Sequence, residues 1–260
     1  MEKLFVIKIG GNVIDSDETC MAFLKSFSAV KEKKILVHGG GKLATKLAGQ
    51  LSVPQQLVEG RRITDAETLK IITMVYGGLI NKNMVAQLQA LGCNALGLSG
   101  ADGNVILAHK RVQATTDYGF VGDVDSVNET LLHSLLQQGI TPVLCPITHD
   151  GQGQLLNTNA DTIAQEAGKA LTSFYDVTLL YTFEKEGVLQ DATDETTVIP
   201  QINTATYKTL KADGTIFAGM IPKLDNAFAA LAAGVTKVII GKAEQLGAIQ
   251  KGTSGTSIVI

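Results

Sequence analysis

The sequence contains no tryptophan, only three cysteines, and no apolar run approaching the roughly 18 residues that a membrane span requires. The cysteines lie far apart and none forms a Cys-x-x-Cys pair, so neither a disulfide framework nor a zinc site is indicated. We expect Cys20, Cys93 and Cys145 to be buried free thiols. The apolar run near the N-terminus is too short for a signal peptide, and a cytoplasmic protein is therefore expected.

The chain also lacks an excess of positive charge. Its 22 lysines and arginines are outnumbered by 25 aspartates and glutamates, which gives a formal net charge of -3. A nucleic-acid partner is disfavoured, because binding a polyanion depends on many cations. The four histidines do not have the spacing of metal ligands, so we expect no metal held by protein side chains. Small anionic molecules must be bound by a few cations and backbone N–H groups.

Short β-rich runs alternate with longer helical stretches along the 260 residues, which predicts a mainly parallel sheet covered by helices on both faces. Segments 104–122 and 149–153 carry turn residues and predict hairpins of an antiparallel patch. We place a boundary between two lobes near residue 175. The predicted strands are 4–9, 34–37, 95–98, 141–145, 177–181, 237–240 and 256–260. The predicted helices are 17–32, 42–51, 65–91 (with a possible break at Gly77 and Gly78), 158–171 and 224–233.

Two glycine-rich segments directly follow predicted strands. Lys8 ends the first strand and is followed by Gly10 and Gly11, whereas 38–42 (His-Gly-Gly-Gly-Lys) connects the second strand to a helix. Glycines at the carboxyl end of a parallel strand let backbone N–H groups approach a phosphate closely. Each segment could instead be an ordinary tight turn, with Lys8 pointing to solvent. Neither has the spacing of a P-loop or of a dinucleotide-binding fingerprint.

Polar residues at two further positions could recognise a carboxylate. Arg62 offers a planar fork of donors for a carboxylate, although it could also be a solvated charge leading into a helix. Thr64 is a candidate N-cap of the helix that starts near Asp65. Asn157 could bind a substrate carboxylate or amide.

Two charged residues lie near predicted helix starts in the second half of the chain. Asp161 follows Asn159, which could act simply as the N-cap, and its carboxylate is suited to orienting lysines. Lys223 lies just inside a helix start, where the helix dipole disfavours a cation. Something must offset that charge, and we expect a bound phosphate to do so.

Taken in order, these segments resemble the acetylglutamate kinases of the amino acid kinase family, over essentially the whole chain. The resemblance rests on 8–11 (KIGG), 38–41 (HGGG), 60–64 (GRRIT), 97–103 (GLSGADG), 157–161 (NTNAD) and 219–223 (GMIPK). It implies one domain shaped as an open αβα sandwich, with an acyl-glutamate-binding lobe at 1–175 and an ATP-binding lobe at 176–260. It also implies a homodimer, arginine biosynthesis in the cytoplasm, and Mg²⁺ that arrives with ATP.

The resemblance further assigns roles by position. It implies that Lys8 and Lys223 stabilise the transition state and that Asp161 organises them. The implied substrate-binding residues are Gly11, Gly40, Gly41, Arg62 and Asn157. The resemblance places ATP near 182–187 and 214–223. The implied nucleotide-binding residues are Gly10, Thr182, Gly187, Gly214 and Gly219.

The chain departs from the family pattern after Tyr181. Family members often have Thr-Asp-Val-x-Gly there, whereas 182–187 is Thr-Phe-Glu-Lys-Glu-Gly, without the aspartate and with a longer loop. The first strand begins at about residue 4, with no preceding helix, so an arginine-inhibited hexamer is not expected. Three alternatives stay open: N-succinyl-glutamate as acceptor, another amino acid kinase acting on carbamate, UMP, free glutamate or aspartate, and a non-catalytic sensor. A succinyl tail would need its own cation, which Lys42, Lys46 or Arg61 could supply.

Overall fold

The computed structural model describes residues 1–58, 61–113, 115–216 and 220–260. Within these ranges, strands form an eight-stranded sheet, a four-stranded sheet and a two-stranded hairpin. The strands are β1 (Glu2–Ile9), β2 (Lys33–His38), β3 (Leu57–Val58), β4 (Arg61–Arg62), β5 (Ala95–Leu98), β6 (Ile106–Lys110), β7 (Gly122–Val127), β8 (Thr141–Leu144), β9 (Ile147–His149), β10 (Leu155–Asn157), β11 (Tyr175–Phe183), β12 (Gln201–Ile202), β13 (Lys237–Lys242) and β14 (Thr256–Ile258). The helices are α1 (Gly11–Ile14), α2 (Asp17–Ser28), α3 (Gly41–Gln50), α4 (Ala66–Ile72), α5 (Asn81–Ala90), α6 (Glu129–Gln137), α7 (Ala160–Ala170), α8 (Thr204–Ala212), α9 (Ile221–Ala232) and α10 (Leu246–Lys251).

The large sheet has the order β12-β14-β13-β11-β1-β2-β8-β5. Its pairs are parallel, except for the antiparallel pair of β13 and β14. The predicted mainly parallel sheet is therefore confirmed. β1 lies between β2 and β11, so both of its edges are hydrogen-bonded within the sheet.

Alternating side chains of β1 explain why helices cover both faces of this sheet. Leu4 and Val6 pack into one buried cluster with residues of α6, α7 and α9. Phe5, Ile7 and Ile9 pack into a second cluster with residues of α2, α5 and α10. Because successive side chains of a strand point to opposite faces, a continuous apolar run needs an apolar layer on each side. The result is the expected αβα sandwich.

The middle of the chain forms the second sheet, in the order β10-β9-β6-β7. The pairs β6–β7 and β9–β10 are antiparallel, as predicted, but β6 and β9 meet in parallel. The predicted long helix over 65–91 is also present, and the two glycines do not break it. Instead, α4 continues through π-helical turns at Thr73–Ile80 directly into α5.

Two sequence expectations about local structure have different outcomes. The prediction that Thr64 caps α4 is wrong, because the cap is Asp65, whose carboxylate accepts a hydrogen bond from the Thr68 N–H at 2.7 Å. The three cysteines are buried free thiols, as expected.

The division into lobes at residue 175 stays a prediction. In the described part of the chain, no helix is both long and apolar enough to cross a bilayer.

Candidate active site

The centre of the site is an aspartate between two lysines. Lys8 lies near the carboxyl end of β1, and its Nζ is 2.8 Å from Oδ1 of Asp161. Lys223 donates a hydrogen bond to the other oxygen, Oδ2, at 2.6 Å. Lys8 and Asp161 are each only 8% exposed. The structure thus brings together the three residues that the sequence singled out for phosphoryl transfer.

The three charges are strongly coupled. Burial lowers the pKa of Lys8 and the charge of Lys223 lowers it further, while the charge of Asp161 opposes both. Burial alone would raise the pKa of Asp161, but the two ammonium groups outweigh burial and hold that pKa well below its usual range. The Lys8 ammonium group has three N–H donors, and its contact with Oδ1 engages at most one of them. Donor capacity on Lys8 is therefore left for a bound anion.

Two helix starts position the aspartate and its second lysine. Asn159 caps α7, and its side-chain oxygen accepts hydrogen bonds from the N–H groups of Asp161 and Thr162. Lys223 follows a proline in the first turn of α9. Asp161 offsets this unfavourable cation in the structure, and the expectation that a bound phosphate also does so stays a prediction. The carboxylate itself is favoured at the start of α7 by the helix dipole.

The segment after β1 combines one crowded glycine with one open glycine. The Gly10 N–H donates to the Thr182 carbonyl at 2.8 Å, and a Cβ on Gly10 would lie 3.1 Å from the Phe183 Cβ. A Cβ on Gly11 would meet no atom within 4 Å. Close packing explains the glycine at position 10, whereas nothing in the described fold requires one at position 11. Open space beside this backbone is available to a ligand.

The segment after β2 shows the same contrast. Gly40 has a φ of +149°, and a Cβ there would overlap the Cδ1 of Ile80. A Cβ on Gly39 would meet nothing within 4 Å, and one on Gly41 would only come within 3.8 Å of the Arg62 Nη2. Gly40 is thus required by the fold, while Gly39 and Gly41 leave their backbone accessible.

A buried histidine supports this second glycine segment. His38 is fully buried, with Nδ1 2.9 Å from the Gly39 carbonyl and Nε2 3.1 Å from the Asn81 side-chain nitrogen. Because the amide nitrogen can only donate, we assign the proton of the neutral ring to Nδ1. Burial lowers the pKa of His38 to about 4, and the charge of Lys82 contributes in the same direction. The neutral ring therefore fixes the orientation of the Gly39 carbonyl.

Arg62 lies beside the same glycines. Its Nη2 donates to the Gly41 carbonyl at 3.0 Å and to the Thr45 hydroxyl at 2.8 Å. Its Nη1 donates to the side-chain oxygen of Gln55, which is itself held by a hydrogen bond to Thr68. Arg62 is therefore a positioned fork at the start of α3 rather than a solvated charge.

Asn157 ends β10 and contacts the strand segment that carries Arg62. Its side-chain nitrogen donates to the hydroxyl of the fully buried Thr64 at 3.0 Å. This contact leaves the Asn157 side-chain oxygen for another donor. Thr64 is thus a partner of Asn157 rather than the helix cap expected from the sequence.

The residues assigned to the nucleotide are more dispersed. Thr182 is buried and donates to the Lys8 carbonyl at 2.9 Å, which couples the ends of β1 and β11. A Cβ on Gly187 would lie 2.7 Å from the Thr256 hydroxyl, so this glycine is needed for packing. Gly214 has a positive φ of 75° just after α8, with open space around it, and Gly219 lies outside the described residues.

A mainly apolar cavity lies beside the loop 182–187 at the end of β11. It is lined by Phe183, Lys185, Gly187, Leu189, Ala192 and Met220. Glu186 points to a different set of partners, since it accepts from Lys242 at 3.1 Å and from Gln245 at 2.7 Å. The longer loop is therefore anchored through Glu186 to the segment after β13. This anchor could not be predicted from sequence patterns, because Glu186 and Lys242 are distant along the chain.

No group of three or more His, Cys, Asp or Glu side chains in the described ranges could hold a metal ion. Both carboxylate oxygens of Asp161 already face lysine ammonium groups. The donor set at the centre of the site therefore suits an anion rather than a metal ion held by protein side chains.

Comparisons with known proteins identify the family of this chain. The model of the amino acid kinase family matches residues 3–242. An acetylglutamate kinase from Bacteroides thetaiotaomicron is 56% identical over 257 residues, covering 99% of this chain and 98% of that protein. The solved structure of smu.665 from Streptococcus mutans UA159 is 28% identical, with a TM-score of 0.81 and 98% of each chain covered. A carbamate kinase from Giardia shares the fold at 15% identity, with a TM-score of 0.71 and coverage of 99% of this chain and 98% of that one. The match over nearly all of the chain and the convergence of the motifs on one site show that this chain belongs to the amino acid kinase family.

Proposed function

We propose that the protein uses ATP to phosphorylate the γ-carboxylate of N-acetyl-L-glutamate, giving N-acetylglutamyl 5-phosphate in arginine biosynthesis. The observation that carries this proposal is the contact of Asp161 with both Lys8 and Lys223, next to two glycine segments with accessible backbone. Two buried or half-buried cations around one carboxylate suit a transferring phosphoryl group, whose charge they can neutralise. The 56% identity with an acetylglutamate kinase supports the choice of acceptor.

The proposed chemistry needs no general base. A γ-carboxylate has a reference pKa of about 4.3, so it is already ionised and nucleophilic at neutral pH. Catalysis then depends on in-line positioning and on cancelling the charge of the phosphoryl group. Lys8 and Lys223 supply the cations, and Asp161 keeps them oriented. The N–H groups near Gly11 and Gly39–Gly41 supply neutral donors.

We propose that Mg²⁺ enters as part of the nucleotide substrate. The magnesium–ATP complex carries its own charge neutralisation, so the chain does not need a dedicated cage of carboxylates. The apolar cavity beside 183–189 is the proposed place of the adenine base, because it is lined by Phe183, Leu189 and Met220. Gly10, Thr182, Gly187, Gly214 and Gly219 remain the proposed nucleotide-binding residues around it.

We also propose a cytoplasmic homodimer, as the resemblance to the acetylglutamate kinases implies. β5 is the last strand of the described eight-stranded sheet, and its Leu96 is 39% exposed. Met74 and Leu79 are 53% and 49% exposed on the π-helical turns that lead into α5, and α5 packs beside β5. These apolar side chains suit a contact between two copies. A monomeric mass in light scattering would overturn the dimer, and recovery of the native protein in a membrane fraction would overturn the location.

The activity is tested by coupled ADP-release assays on the purified protein with magnesium–ATP and candidate acceptors. We expect N-acetyl-L-glutamate to be phosphorylated, with Lys8→Ala lowering kcat by about 10²-fold or more because an electrostatic stabiliser is lost. Arg62→Ala should mainly raise KM for the acyl-glutamate. Unchanged kcat in Lys8→Ala, or a KM effect of Arg62→Ala confined to ATP, would contradict these roles.

The same assay distinguishes the alternatives. N-succinyl-glutamate, carbamate, UMP, free glutamate and aspartate serve as competing acceptors, compared by kcat/KM. Lys42, one candidate partner of a succinyl tail, is exposed and lies 3.7 Å from Asp15. A higher kcat/KM on N-succinyl-glutamate would replace the proposed acyl group. Binding of ATP and acyl-glutamate without any turnover would favour a sensor.

A further inference from the structure

Tyr76 is a buried residue of the candidate site that neither the sequence patterns nor the family resemblance assigned. It is 6% exposed and lies in the π-helical turns Thr73–Ile80. Its ring packs against the glycine segment after β2, since a Cβ on Gly40 would lie 3.2 Å from two ring carbons. The phenol therefore lies against the proposed acceptor pocket rather than in the apolar core alone.

The helical geometry explains how this side chain reaches the site. π-helical turns are rare and occur frequently at functional sites, because they shift side chains relative to a regular helix. Here they place Tyr76 and Ile80 together over Gly40. The positive φ of Gly40 disfavours any residue with a Cβ at this position. The Tyr76 ring can therefore pack directly against the Gly40 backbone.

The hydroxyl of Tyr76 and the guanidinium of Arg62 approach the same point. A Cβ on Gly41 would lie 3.9 Å from the Tyr76 hydroxyl and 3.8 Å from the Arg62 Nη2. Burial raises the pKa of Tyr76, and the charge and hydrogen bonding of Arg62 only partly oppose it, so the phenol keeps its proton at neutral pH. Within the described ranges, we find no protein acceptor for that proton. A phenol O–H beside a guanidinium is a donor pair suited to one anionic oxygen group.

We propose that the Tyr76 hydroxyl donates a hydrogen bond to the non-reacting α-carboxylate of the acceptor, beside Arg62, and so contributes to acceptor specificity. The inference rests on the proposed function, because it concerns the acceptor of that reaction. The α-carboxylate is the better partner than the γ-carboxylate, since the proposed function assigns the reacting end to Lys8 and Lys223, which meet at Asp161. A strong donor on the nucleophile itself would also lower its reactivity. The permanent charge of the α-carboxylate, by contrast, needs a cation and donors in both ground state and transition state.

The test compares wild type with Tyr76→Phe on two acceptors, N-acetylglutamate and N-acetyl-isoglutamine. In N-acetyl-isoglutamine an amide replaces the α-carboxylate, and the γ-carboxylate is retained. Losing one hydrogen bond to a charged group should raise KM for N-acetylglutamate about tenfold or more, with kcat and KM for ATP unchanged. On N-acetyl-isoglutamine the two proteins should differ by less than about twofold, because the anionic partner is absent. Tyr175→Phe is the matched control, since it removes a buried ring hydroxyl that accepts from Gln137 at 3.1 Å, at the beginning of β11.

Each outcome decides the proposal. Equal KM values for wild type and Tyr76→Phe on N-acetylglutamate would overturn it, as would equal losses on both acceptors. A general loss of folding would lower the urea midpoint and affect ATP as well, which distinguishes a structural role. If wild type shows no turnover, the proposed function fails, and calorimetric binding of N-acetylglutamate then tests Tyr76 separately. Weaker binding in Tyr76→Phe supports the role, and equal or undetectable binding in both proteins refutes it.

Discussion

Replacing Asp161 with asparagine should strongly destabilise the fold, because Asp161 is the carboxylate between two cations. Its oxygens lie 2.8 Å from the Lys8 Nζ and 2.6 Å from the Lys223 Nζ. Asparagine keeps the volume but leaves the 8%-exposed Lys8 without a counter-charge. Breaking a buried ion pair on one side typically costs about 3–5 kcal/mol, a large part of a usual unfolding free energy of about 5–15 kcal/mol. We expect a loss in that range at pH 7.

The pH dependence of this loss follows from the lowered pKa of Asp161. A depressed carboxylate pKa stabilises the native state fully above the unfolded-state pKa, near 3.8, and the stabilisation is lost as pH falls through the native value. The destabilisation by Asp161→Asn should therefore be complete at pH 7 and shrink in acid.

Urea unfolding followed by circular dichroism measures this effect. The matched control is Glu67→Gln, which breaks the exposed pair of Glu67 and Lys70 and should cost less than about 1 kcal/mol. Adding Lys8→Met to Asp161→Asn should recover part of the stability, because the uncompensated buried charge is then removed. The reasoning is refuted if Asp161→Asn and Glu67→Gln have the same midpoint, or if Lys8→Met only adds a further loss.

Two further predictions concern the glycine segment after β2. Gly40→Ala should lower the unfolding free energy by about 1–3 kcal/mol, because of its φ of +149° and the overlap with Ile80, whereas Gly39→Ala should change it by less than about 0.5 kcal/mol. Equal urea midpoints for the two variants would contradict this. Burial lowers the pKa of His38 from its usual 6.5 to about 4, so the unfolded chain binds this proton more tightly than the native one, and the free energy of unfolding rises between pH 4 and 6.5 by about 3 kcal/mol in total. His38→Asn should flatten that part of the pH profile of unfolding, and an unchanged slope from pH 4 to 6.5 would show that His38 does not titrate as described.

The sheet strands were the most predictable part of the fold. The short apolar runs at 4–9 and 34–37, each followed by glycines, predict buried strands, and β1 and β2 contain them. Local boundaries were less predictable where two residues compete for one role. Thr64 and Asp65 are both residue types that can cap a helix. In the fold the Thr64 hydroxyl accepts from Asn157, and Asp65 therefore serves as the N-cap of α4.

The site was predictable as a set of motifs but not as a geometry. Lys8 and Asp161 are far apart in sequence, and their distance depends on the parallel pairing of β1 with β11 and on the packing of α7. Sequence patterns did not mark Tyr76 as a site residue, since an aromatic residue in an apolar helical run most often belongs to the core. The π-helical turns that carry it to Gly40 follow from packing of the whole segment and have no pattern in the sequence.

The pairing of β1 with Tyr175–Phe183 also has a consequence for folding. β1 can join β2 early during synthesis, but its other edge stays open until residue 183 has left the ribosome. Contacts between such distant segments form slowly, and an apolar strand with an open edge invites aggregation. Lys8 acquires its final surroundings only when this pairing and α7 are in place. We therefore expect partly synthesised or truncated chains to depend on chaperones and to lack any partial form of the site.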